Sequence, residues 1–207
     1  MGEGVRAVAG AVDRERLKHA LEREIASGAN AILSFGISGG LAPDLVAGTW
    51  VVARGVIDGA HYRRCDDAWT QRLLARLPGA HLGDIAGSDA PIATADAKRA
   101  LHAATSAFAI DTESHVVADI ASAHGLPFAA FRVVADPVNR NLPPAARVAL
   151  TANGNVDVIA VLRSLVAAPW QLPLLARTAI DARIAFASLR HGRQRLGNDL
   201  RAETRGG

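Results

Sequence analysis

Cysteine is almost missing from this chain. A single residue, Cys65, stands among 207, which excludes an internal disulfide framework and a multi-cysteine zinc site. One thiol fits a reducing cytoplasm. Aromatic residues make up only 4%, so aliphatic and alanine side chains must fill the core. No apolar run approaches the roughly 20 residues that span a bilayer. The stretch Met1 to Gly10 is too short and too polar for a signal peptide. A soluble, cytoplasmic protein is therefore expected. The glycines after Phe35 lack the G-x-G-x-x-G spacing of a dinucleotide fingerprint, and no Walker lysine is present. The 7 histidines show no ligand-like pairing, so neither a metal nor a resident cofactor is expected.

What is present suits one full domain with a sizeable core: 50% of the residues are hydrophobic and 21% charged. The net charge of +3 is unevenly placed. Residues 1–162 carry net −2 and residues 163–207 net +5. The basic character belongs to the tail, and nucleic acid is not an expected partner of the domain.

Periodicity gives the elements. Leu17, Leu21 and Ile25 step by four through a helix over Arg14 to Ser27, with Asp13 as its N-cap. Ala31 to Phe35 reads as a strand running into a glycine turn or binding loop, Gly36 to Gly40. Trp50 to Val56 is a second strand. Asp66 to Leu77 and Ala95 to Ala104 read as helices separated by a loop, Gly83 to Pro91. Lys98 and Arg99 are expected on a solvated helix face. Beyond the short apolar run Ala107 to Ile110 come a helix from Ser114 to His124, a strand from Phe128 to Val134, and helices over Val156 to Ala167 and Pro169 to Leu189. Helices alternating with short apolar strands predict a three-layer α/β/α domain around a central, mostly parallel mixed sheet. The expected organisation is a domain over 1–168, a basic amphipathic helix over 169–196 and a flexible tail over 197–207.

Two carboxylates stand out. Glu113, in Asp111-Thr112-Glu113-Ser114, opens a helix, and Asp136 closes the following strand. Ligands of open α/β sheets bind beyond the carboxyl ends of the strands, which draws both toward one cleft. Taken singly, Glu113 could merely complement a helix dipole and Asp136 could merely start an Asp-Pro turn.

Together these segments resemble the purine nucleoside phosphorylase / methylthioadenosine–S-adenosylhomocysteine nucleosidase superfamily. Ser34-Phe35-Gly36-Ile37-Ser38-Gly39-Gly40-Leu41, with Pro43 and Gly48 to Val52, is similar to its glycine-rich stretch. Ala86-Gly87-Ser88-Asp89 is similar to its "ASGD" loop. Asp111 to Ser114 stands where the family has "xMEx", and Gly125 to Phe128 with Arg132 to Asp136 resembles "giPf…RaISD". Asp136 to Pro144 and Pro169 to Pro173 resemble the hopanoid-associated phosphorylase group, which is assigned to releasing adenine from adenosylhopane.

The resemblance implies cleavage of an N-glycosidic bond in an adenosine-type nucleoside bearing a lipid tail. Inorganic phosphate would be the co-substrate, or water in a nucleosidase. Asp136 would protonate or hydrogen-bond purine N7 and accept from the 6-amino group. Glu113 would bind the ribose hydroxyls, with Thr112 at the ribose floor, and Gly36, Ser38 and Gly39 would line the cleft. A homo-oligomer is implied. The sequence departs from the family pattern at three points. The family's first strand and N-terminal acidic loop have no counterpart, Ile37 replaces a hydroxyl residue, and Pro91 replaces a purine-stacking phenylalanine. These departures leave open a degenerate, non-catalytic nucleoside- or lipid-binding relative. The apolar and arginine residues of the last helix fit either packing on its own domain or a second subunit, or a peripheral contact with an anionic membrane.

Overall fold

The structure, a computed structural model, describes residues 4–8, 13–143, 170 and 172–202. Twelve elements follow in chain order: α1 (Arg14–Ala26), β1 (Ile32–Gly40), β2 (Trp50–Asp58), β3 (His61–Arg64), α2 (Asp67–Arg76), β4 (His81–Gly87), α3 (Ala95–Thr105), β5 (Ala109–Asp111), α4 (Ser114–Ala123), β6 (Phe128–Asp136), α5 (Leu172–Leu196) and a 3-10 turn (Gly197–Leu200). The helix expected over Val156 to Ala167 lies outside the described residues.

Local chemistry starts the helices as read. Asp13 accepts hydrogen bonds from the amides of Glu15 and Arg16, Asp66 from Trp69, and Thr94 from Ala97, satisfying donors that the first turn leaves without partners.

The six strands form one mixed sheet in the order β3-β2-β4-β5-β1-β6. The pairs β1–β6, β2–β4 and β4–β5 are parallel, whereas β1–β5, β2–β3 and β2–β6 are antiparallel. The β2–β6 pairing brings the sheet round upon itself. Both faces are covered, and residues alternate between them. On β6, Phe128, Ala130 and Val134 pack with α1 and α4, while Ala129, Phe131 and Val133 face the layer that includes α2 and α5. Burial on both faces explains why this strand reads as a continuous apolar run.

Two expectations about backbone are corrected. The stretch from Gly36 to Gly40 is strand, not turn: it continues β1 alongside β6. Glycine is needed there for space, since a Cβ on Gly39 would lie 3.1 Å from Ile110 Cγ2 and one on Gly40 3.0 Å from Val134 Cγ1. The expected loop Gly83 to Pro91 begins inside β4. Gly83 and Asp84 look like turn residues in sequence, but a Cβ on Gly83 would fall 2.3 Å from Phe108 Cγ, so the glycine makes room for a ring across the sheet. The short edge strand β3, which the apolar periodicity does not predict, pairs with β2.

α5 runs past Leu189, where the apolar periodicity stops, to Leu196, the end of the segment expected as a basic amphipathic helix. It lies along the domain: His191 stacks on Trp50 with ring centroids 5.6 Å apart, and Trp50 Nε1 donates to Ser188 O at 3.2 Å. Ala185 and Leu196 are buried against the sheet. The segment expected to form a flexible tail opens with the 3-10 turn, and Leu200 and Ala202 pack on the same cluster.

Candidate active site

The sheet topology places the two carboxylates at the ends of the two strands that flank β1. β1 lies between β5 and β6, and Gly39 near its end pairs with Ile110 on one side and with Asp136 on the other. Asp111-Thr112-Glu113 leaves β5 beside that point, and Asp136 ends β6 there. Gly36, Ser38 and Gly39 are strand residues of β1 between them. Ser38 is buried, and its Oγ has no hydrogen-bond partner among the described residues. Thr112 sits half-buried in the turn from β5 to α4. Ile37 is half-buried on β1 and Pro91 is exposed beyond β4.

Glu113 precedes α4, but its side chain makes no capping hydrogen bond. Asp111 does that work. Its Oδ1 accepts from the amides of Glu113 (3.1 Å) and Ser114 (2.8 Å), and its Oδ2 from Ser114 Oγ (2.6 Å) and from Arg132 Nε. Arg132 Nη2 also donates to Ser34 Oγ (2.7 Å) and Ser114 Oγ (3.0 Å). Arg132 and the Asp111 carboxylate thus form an ion pair whose side chains are 2% and 7% exposed, and the two serines satisfy its remaining valences. Burial pushes Asp111 upward, but Arg132 and Ser114 outweigh it and hold the carboxyl below its ordinary range. Burial raises Glu113 above the ordinary range, with Arg132 opposing and Asp111 adding. Of the two neighbours, Asp111 is fixed as an anion, and Glu113 is the one left for other work.

Asp136 is also more than a turn initiator. Its Oδ2 accepts from the ammonium of Lys98. Burial raises the Asp136 carboxyl; Lys98 opposes that, and Asp181 and Arg140 act in opposite senses with smaller effect. Lys98 corrects the expectation of a solvated face: it is 0% exposed, whereas the adjacent Arg99 side chain is 56% exposed and pairs with Asp96. Helical periodicity places Lys98 on the inner face of α3, and charge alone had assigned it to water. Arg132 stands within the family-like string Arg132 to Asp136, and its pairing with Asp111 is a finding of the structure. Its signal was available, because a cation inside Phe128–Asp136 must be paired if the strand is buried.

Cavities of about 290 and 300 Å³ flank β3, lined by Tyr62, Arg64 and their neighbours. Neither is lined by a residue of the carboxylate group.

The order of these residues along the chain matches a known pattern: a sequence profile described as "Phosphorylase superfamily" fits residues 2–167. The chain belongs to the phosphorylase superfamily. α5 lies beyond the matched segment. No curated protein matches the chain. Among solved structures, futalosine hydrolase of Helicobacter pylori strain 26695 shares 16% identity at a TM-score of 0.56, over 86% of this chain and 75% of that one. The Campylobacter jejuni 5′-methylthioadenosine/S-adenosyl homocysteine nucleosidase shares 17% identity at a TM-score of 0.57, over 78% and 76%. The corresponding S. pneumoniae nucleosidase, solved with the transition-state inhibitor MT-ImmA, shares 16% at 0.53, over 86% and 75%. A mutant futalosine hydrolase structure is spanned over 66% of its length. This phosphorylase-superfamily chain therefore spans about two thirds to three quarters of the structures it resembles, and at these identities the likeness is one of fold. No described helix is long and apolar enough to cross a membrane.

Proposed function

We propose that the protein cleaves the N-glycosidic bond of an adenosine-type nucleoside and releases adenine. The observation that carries this reading is the placement of two half-buried carboxyls by the strands that flank β1: Asp136 ends β6 opposite Gly39, with its proton affinity raised by burial, and Glu113 follows β5, whose Ile110 pairs with the same Gly39. As the bond from C1′ to the purine breaks, its electron pair moves into the base and positive charge builds on the sugar. Asp136, carrying a proton, donates it to N7, a contribution of about 10²–10⁴-fold for a placed general acid. Glu113 grips the ribose hydroxyls, and its negative charge stabilises the developing cation. The nucleophile on C1′ is inorganic phosphate, as the resemblance to the hopanoid-associated group suggests, with adenosylhopane as the substrate.

The test is adenine release from adenosylhopane and from methylthioadenosine, each with and without phosphate, by wild type and Asp136→Asn. The variant should lose at least about tenfold in turnover. Release that needs phosphate supports phosphorolysis, whereas phosphate-independent release makes the enzyme a nucleosidase. No release from either substrate refutes the catalytic reading in favour of a binding protein.

A second reading concerns α5. Its outward side exposes Leu172, Ile180, Ile184 and Phe186, with Trp170 just before it, and the exposed Arg177, Arg183, Arg190 and Arg193 lie among them. The one acid of the helix, Asp181, is buried and paired with Arg140 at 3.2 Å. Apolar residues framed by arginines suit an anionic lipid surface. Vesicles containing anionic lipid should carry the protein upward on flotation, and Arg183→Glu/Arg190→Glu should not float. Equal behaviour of the two proteins removes this reading, and a concentration-dependent change in mass would assign the face to a second copy.

A further inference from the structure

Lys98 offers more cationic chemistry than packing requires. Its buried Nζ meets the Asp136 carboxylate and donates to the carbonyl oxygens of Asp136 (3.3 Å), Pro137 (3.1 Å) and Arg140 (3.2 Å). The chain after β6 thus wraps its oxygens round one ammonium. The same loop is fastened to the start of α3 twice more: Asn141 Oδ1 accepts from the amide of Ala95 (2.7 Å), and the amide of Leu142 donates to Ala93 O (2.8 Å). Those two bonds, like any turn contact, fix backbone. Among the described residues, only Lys98 hydrogen-bonds the carboxylate.

A fully buried ammonium is costly unless it is paired and hydrogen-bonded. The pairing partner here is the one carboxylate that the reading above assigns to the base. We propose that Lys98 is a positioning residue: it holds Asp136 by Oδ2, orients the carboxyl so that Oδ1 meets the purine edge, and sets the pH range over which Asp136 carries its proton. The proposal rests on the proposed function for its ligand but not for its geometry.

The charged groups facing Asp136 are Lys98 on α3, Arg140 on the loop and Asp181 on α5. Burial and Asp181 favour the protonated carboxyl, and Lys98 and Arg140 favour the anion. With Lys98 removed, Asp136 should keep its proton to higher pH. An opposite charge at this range displaces a carboxyl by about one to three pH units. If the protonated carboxyl is the working form, the alkaline limb of the rate profile moves up by the same amount.

The experiment compares wild type with Lys98→Met, a near-isosteric replacement without charge. Lys98→Gln, which can still donate to the carbonyl oxygens, carries the same comparison if Lys98→Met does not fold. Carbon-13 carboxyl resonances, with Asp136 assigned through Asp136→Asn, read the titration without needing activity. Adenine release across pH reads its consequence. An upward displacement of about one unit or more in both measurements supports the proposal. An Asp136 titration that stays in place overturns it, whatever the activity. A displaced titration with an unmoved rate profile also overturns it, reducing Lys98 to a structural ion pair. If wild type releases no adenine while the titration moves, the proposed function fails and the hold of Lys98 on Asp136 stands.

Discussion

Replacing Arg132 by methionine should damage this protein more than any surface arginine change, and the damage should depend on pH in a diagnostic way. The substitution keeps an unbranched side chain in the strand but strips the buried Asp111 carboxylate of its counter-charge and leaves Ser34 and Ser114 without their shared donor. Removing one partner of a buried ion pair costs about 3–5 kcal/mol. For a chain of this size that corresponds to a fall of roughly 6–20 °C in melting temperature. Wild-type Asp111 is held below the ordinary carboxylate range, so its contribution is fully present above about pH 4 and is lost as pH falls through the lower folded value. Without Arg132 the sign reverses. Burial then dominates, the folded carboxyl rises above its unfolded value, and acidification relieves the strain by protonating it. Urea unfolding of wild type and Arg132→Met at pH 7 and near pH 5 measures both effects. The gap between the two proteins should be several kcal/mol at neutral pH and should narrow on acidification. A gap below about 1 kcal/mol, the size of an exposed pair, or one that does not change with pH, would refute this account of the network.

Three further outcomes are expected. Glu113→Gln should raise KM for ribosides and leave the affinity for free adenine unchanged; calorimetric titration showing equal losses for both contradicts the ribose role. Gly87→Ala should destabilise the fold by about 1–3 kcal/mol, because the added Cβ would lie 2.4 Å from His115 Cβ, an atom too close to the backbone to swing aside; unfolding curves matching wild type would disprove that crowding. Asp181→Asn should move the Asp136 titration to lower pH, since Asp181 raises and Arg140 lowers its proton affinity, and a shift in the same direction as Lys98→Met would be inconsistent with this charge arrangement.

Much of the architecture was legible because it is local. Asp13, Asp66 and Thr94 cap helices within three residues of themselves, and the apolar run from Phe128 announces a strand buried on both faces. The two glycine-rich stretches mislead for one reason. Gly39, Gly40 and Gly83 carry turn chemistry in sequence, yet the space of their missing side chains is taken by Ile110 on β5, Val134 on β6 and Phe108 just before β5. A glycine that lets another side chain approach cannot be told from one that lets the backbone turn until the partner strand is known. The short β3 pairs only with β2 and leaves most of its residues exposed, so it had no hydrophobic signature to read.

The site divides along the same line. Glu113 and Asp136 could be singled out because each follows a strand and sits in a recognisable string of residues. What determines their protonation could not, since it comes first from burial and then from charges that the fold brings up, Arg132 beside Glu113 and Lys98 and Asp181 beside Asp136. Asp181 stands on α5, outside the segment that marks the superfamily, yet its pairing with Arg140 reaches the loop whose oxygens surround Lys98. A helix beyond the matched segment therefore acts on the electrostatics of Asp136. Two chains with the same motif around Asp136 but different partners at positions 98 and 181 would hold the same acid at different proton affinities, and the motif alone would not distinguish them.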